Sequence, residues 1–82
     1  MDDITEDQIQ FAQQLQFLEK TAKQKMSRET ISRYGNLKIA HPEIAIKVIT
    51  AIAQAVQAGQ IREIITDDQF KMLLKEMQQK KI

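Results

Sequence analysis

The 82 residues carry 12 Lys and Arg against 11 Asp and Glu, for a net charge of +1, and 43% are apolar, enough for one small core. No Cys and a single His exclude a disulfide framework, a thiol nucleophile, a cysteine zinc site and a multi-histidine metal site. Two Gly and one Pro leave little turn chemistry for a β fold, no apolar run approaches the roughly 18 residues of a membrane span, and the acidic start lacks the basic region of a secretory signal, so a soluble, cytoplasmic, all-α chain is expected.

The first helix is expected over about residues 5–25. Thr5-Glu6-Asp7-Gln8 reads as a capping box, with Thr5 as N-cap and Gln8 returning to it. Phe11, Leu15, Leu18 and Ala22 then recur at helical spacing, with Phe17 beside their stripe. Much of this helix is polar, so its inner half is expected to pack and its outer half to fray. Ser27 reads as N-cap of a short second helix, with Ile31 and Tyr34 apolar and Gly35 or Asn36 as its stop. Pro42 suits the first position of a third helix, since its missing N–H costs nothing there. Ile44, Val48, Ile52, Ala55 and Val56, widened by Ala45, Ile49 and Ala51, give that helix an apolar surface broad enough for several neighbours. Gly59 should end it. Ile61, Ile64 and Ile65 should plug the end of the bundle. Thr66-Asp67-Asp68-Gln69 is a second capping box, and Phe70, Leu73, Leu74 and Met77 form the inward stripe of a fourth helix. The fold expected is one helical domain over 1–82: a compact three-helix core over about 27–78, preceded by a looser N-terminal helix.

The near-zero net charge hides a partition. Residues 1–19 sum to −5, 20–38 to +5, 39–70 to −2 and 71–82 to +3. One reading is ordinary solvated helix faces. The other is two basic segments that attract a polyanion, which requires them to share a face.

Little else points to chemistry. His41, with no nucleophile paired to it, reads as a structural residue at a helix start rather than a general base. Asp67 and Asp68 are consecutive, so they do not converge on a cation, and both suit the positive end of a helix dipole. No catalytic residue, metal or cofactor is expected. The stretch between the third and fourth helices, about seven residues, is too long for the usual helix-turn-helix turn, so phosphate contact is favoured over base readout.

Two stretches together carry a resemblance. Arg33-Tyr34-Gly35-Asn36-Leu37-Lys38-Ile39-Ala40-His41-Pro42-Glu43 and Gln57-Ala58-Gly59-Gln60-Ile61, continuing through Ile65-Thr66-Asp67-Asp68-Gln69-Phe70-Lys71-Met72-Leu73-Leu74, resemble the programmed cell death protein 5 family of archaea and eukaryotes. Arg28 stands where that family often has Pro, and Ile31, His41 and Ile64 where it usually has a base. The resemblance implies a three-helix core with a loosely held first helix and a non-enzymatic role. It implies DNA binding for archaeal members and protein partners, including the cytosolic chaperonin, for eukaryotic ones.

The function expected is weak, sequence-independent binding of double-stranded DNA by a monomer. Its phosphate contacts are Arg28, Arg33, Lys38, Lys71, Lys75, Lys80 and Lys81. The alternative is a protein-interaction adaptor, its contact carried by the exposed half of the first helix or by the surface near Tyr34.

Overall fold

The computed structural model describes residues 6–79, with the side chains of 8–78. Four helices follow in chain order: α1 Glu6–Lys23, α2 Arg28–Ala40, α3 Pro42–Gln57 and α4 Asp67–Gln79. No strand occurs among the described residues. Thr5, the expected cap of α1, and the basic pair Lys80 and Lys81 lie outside them.

The central element is α3, which packs against each of the other three helices. Its breadth of apolar surface explains this: Ala45, Val48, Ile49, Ile52 and Ala53 are all buried. Ala45 and Ala53 let neighbouring helices approach where a larger side chain would hold them off. Phe70 of α4, Ala22 of α1 and Tyr34 of α2 complete the core from three sides, with Met26 and Ile65 beneath. Leu15 and Leu18 pack on it as well, so the inner half of α1 is part of the bundle, whereas residues 8–14 are exposed.

Local sequence sets most boundaries. Ser27 caps α2, its hydroxyl accepting the Thr30 N–H at 3.1 Å. Thr66 and Gln69 form the expected box: the Gln69 N–H reaches the Thr66 hydroxyl at 3.2 Å, and the Thr66 N–H reaches the Gln69 side-chain carbonyl at 3.0 Å. At the end of α3, Gly59 adopts φ 74°. Its N–H and that of Gln60 then close on the carbonyls of Val56 and Ala55, satisfying two otherwise orphan acceptors.

Three expectations are corrected. Gly35 and Asn36 do not end α2, which runs on to Ala40. One glycine inside a helix costs only about 1 kcal/mol, and the packed side chains of Tyr34 and Leu37 on either side outweigh it. The stop comes from Pro42, which disfavours helical geometry at the residue before it; His41 accordingly sits at φ −140°, ψ 76°. Ile64 is exposed, and the plug is made by Ile65 with half-buried Ile61. Ala51 likewise faces outward.

A short tie closes the bundle's end. Met26 and Ile65 form an isolated parallel bridge, with the Ile65 N–H donating to the Lys25 carbonyl at 2.7 Å. The Ile65 carbonyl accepts both the Ser27 N–H, at 3.1 Å, and the hydroxyl of fully buried Thr30, at 2.9 Å. The α1–α2 junction and the α3–α4 connector are thus held together by backbone pairing, which fixes the azimuth of α2 against α4.

Candidate nucleic-acid interface

The outward face of α2 lies between two mixed-charge clusters. Residues advance about 100° each around a helix, so Arg33 and Lys38, five apart, fall on opposite flanks of α2. Arg28, Ser32, Asn36 and Ile39 occupy the arc between them and are all exposed.

On the α4 flank, Arg33 grips Asp67 in bidentate fashion. Its Nε donates to one carboxylate oxygen and its Nη2 to the other, the latter at 3.0 Å. Lys71, one turn along α4, brings its Nζ within 3.8 Å of the same carboxylate. The Arg33 hydrogen bond holds the Asp67 carboxyl below its ordinary range, aided by the charges of Arg33 and Lys71. Lys75 follows Lys71 by four residues on the same exposed face. Between α2 and α4 runs a groove of about 500 Å³, lined among others by Ser32, Arg33, Asn36, Leu37 and Asp67.

On the α1 flank the centre is Glu19. It accepts the Tyr34 hydroxyl at 2.6 Å and the Lys38 ammonium at 2.7 Å. Lys23 lies over the Tyr34 ring, 5.8 Å from its centroid. Burial alone would push the Glu19 carboxyl up, but hydrogen bonds from Lys38 and Tyr34 and the charges of Lys38 and Lys23 bring it below its usual range. Burial, reinforced by Glu19, pushes the Tyr34 phenol up from its ordinary value near 10. Tyr34 is an interior residue, as its place among the apolar positions of the second helix predicts; its ring fills the core and its hydroxyl orients Glu19.

These shifts fix a pH dependence. The lowered carboxyls of Glu19 and Asp67 add stability that is complete above about pH 5 and is lost as pH falls through their folded values. The raised Tyr34 phenol adds stability that is complete below the unfolded value near 10 and is lost as pH rises toward its folded value. Urea midpoints should be flat between these limits and fall on both sides. Tyr34→Phe should flatten the alkaline limb while leaving the Asp67 part of the acid limb in place.

Of the seven residues expected to contact phosphate, Arg28, Arg33 and Lys38 lie on α2 and Lys71 and Lys75 on α4. Asp67 joins the first basic segment to the second, since it is bound by Arg33 and approached by Lys71. Residues that sequence reasoning missed are the two carboxylates, Glu19 and Asp67, each set between two cations. Lys23 was also missed, and its only signal was membership of the basic segment. Among the described residues no group of three or more His, Cys, Asp or Glu is placed to hold a metal, and no helix is long and apolar enough to cross a membrane.

The described residues form a small all-α bundle with charged residues along the outward face of α2 and the exposed face of α4. The chain matches the family model of the double-stranded DNA-binding domain over residues 3–82 and belongs to that family, the one its sequence resembles. It is 42% identical over 64 residues to a DNA-binding protein of Archaeoglobus fulgidus, covering 78% of this chain and 50% of that protein. It is 37% identical over 70 residues to a DNA-binding protein of Thermococcus sibiricus, covering 84% and 62% respectively. A DNA-binding protein of Methanobrevibacter smithii is 36% identical over 52 residues, 63% of this chain and 44% of that one. The chain thus spans about half the length of the curated relatives it matches. No solved structure matches it.

Proposed function

We propose that the protein binds duplex DNA weakly and without sequence preference, as a monomeric, non-enzymatic module, by setting the outward face of α2 and the lysine row of α4 against the phosphate backbone. The observation that supports this reading is the meeting of Arg33, from the first basic segment, and Lys71, from the second, at Asp67. Arg28, Arg33, Lys71 and Lys75 are the contacts we assign around that meeting, Lys38 is the contact on the opposite flank of α2, and Lys80 and Lys81 follow α4 directly in sequence. Family membership and the names of the relatives support DNA as the polyanion. Long exposed lysines suit phosphates, which position a protein on the duplex without reporting its sequence. Glu19 and Asp67 offset part of the charge, which favours weak binding.

The test is a titration of the 15N-labelled protein with short duplexes of unrelated sequence. Amide shifts should concentrate on α2 and on α4 around Lys71 and Lys75, and should be alike for every duplex. Shifts centred on the α3–α4 side, or present for one sequence alone, would overturn the reading.

A second reading, a protein-interaction adaptor, is favoured by one observation: Ile9, Phe11 and Phe17 of α1 are each about half exposed. Exposed apolar side chains on a helix can seat in a partner's groove. Binding to purified cytosolic chaperonin that is lost on Phe11→Ala plus Phe17→Ala would support it; binding unaffected by both changes would exclude this helix as the contact.

A further inference from the structure

Helix α4 does not need Asp67 to reach Arg33. Its start is already closed by Thr66 and Gln69, and Asp68 supplies a second negative charge to the dipole. The carboxylate nevertheless spans to α2 and takes two N–H groups of the Arg33 fork while lying close to the Lys71 ammonium. A guanidinium has five N–H groups, so three remain, and the Arg33 side chain is 42% exposed at the mouth of the α2–α4 groove. Ser32 and Asn36 supply a hydroxyl and an amide on the same wall, and Glu29 adds a carboxylate to it.

We infer that the cluster beside this groove is a phosphate subsite, formed by Arg33 and Lys71, and that Asp67 is its resident competitor. The inference rests on the duplex-binding reading and says how that binding is held weak. Carboxylate and phosphate offer a guanidinium the same paired-oxygen geometry, so one can replace the other in the fork. While Asp67 occupies it, two cations present the field of one. A backbone phosphate that arrives must share Arg33 with the carboxylate or displace it. The exchange is open because the pair is at the surface, where water solvates whichever anion is released.

The experiment measures duplex affinity by anisotropy for the full chain, Asp67→Asn and Glu76→Gln. The two variants change net charge equally, but Glu76 lines the separate groove between α3 and α4. Asp67→Asn should tighten binding about 5- to 10-fold at about 50 mM salt and steepen the salt slope by about one, the signature of one added phosphate contact. Glu76→Gln should change affinity less than about 2-fold, as expected of a charge away from the phosphates. Equal effects of the two variants, or weaker binding by Asp67→Asn, overturn the inference while leaving duplex binding intact. No binding by any of the three overturns the duplex reading and the inference with it. A thermal melt of Asp67→Asn establishes that it is folded. An independent readout is the Arg33 Nε–H resonance of the unmutated protein: it should move as duplex is added, and an unmoved signal overturns the exchange.

Discussion

Replacing Phe70 by Ala should cost about 3–5 kcal/mol, the usual range for deleting a fully buried aromatic ring. Phe70 is 0% exposed and lies in the core that α4 shares with α3. A folded chain of this size holds roughly 4–12 kcal/mol in total, so this one change removes about a quarter or more of it. For a domain this small the melting temperature should fall by about 12–40 °C. The other two phenylalanines are the internal controls. Phe11 and Phe17 are 52% and 58% exposed, and Phe11→Ala and Phe17→Ala should each cost less than about 1 kcal/mol. Urea unfolding of the three variants checks both halves. Equal losses would contradict the packing described here.

Reversing the two lysines of α4, Lys71→Glu with Lys75→Glu, should weaken duplex binding about 100-fold at low salt and flatten the salt slope by about two. Each change removes an attraction to phosphate and introduces a repulsion. Lys71→Glu also sets two carboxylates one turn apart, at 67 and 71, which frees Arg33 only in part. Both lysines are exposed, so the melting temperature should move by a few degrees at most. The matched control is Lys47→Glu with Arg62→Glu. Arg62 lines the α3–α4 groove and Lys47 is an exposed residue of α3. That pair carries the same charge change and should weaken binding far less, through net charge alone.

The helix boundaries show which physics is legible in a sequence and which is not. Thr66 and Gln69 are three residues apart, and their reciprocal bonds follow from spacing alone. The same holds for Ser27 with Thr30, for Pro42 at the start of α3 and for Gly59 just past its end. Gly35 misled because a weak local penalty was read as a stop, whereas packing of Tyr34 and Leu37 carried the helix through it. Ile64 and Ile65 are equal in hydropathy, and only the pairing of Ile65 with Lys25 and Thr30 decides which one turns inward.

The candidate face was half legible. Counting charges located the two basic segments. It could not show that Arg33 finds Asp67, 34 positions away, or that Lys38 finds Glu19, 19 away. Those pairs depend on the azimuth of α2, which is set by the tie between the α1–α2 junction and Ile65. They also change the reading of the charge: of the five expected contacts on described residues, Arg33, Lys38 and Lys71 each have a carboxylate within ion-pair distance. Tyr34 divides in the same way: its helical spacing predicts an apolar position, but nothing in the spacing shows that its hydroxyl finds Glu19.

The measurement that bears most directly on the central claim is a salt titration of binding to a short fluorescent duplex. With four to six phosphate contacts, log affinity should fall against log salt with a slope of about −4 to −5, and duplexes of unrelated sequence should give the same line. Measurable binding with a slope near zero, or no binding even near about 20 mM salt, where the Debye length exceeds about 20 Å, would contradict the account.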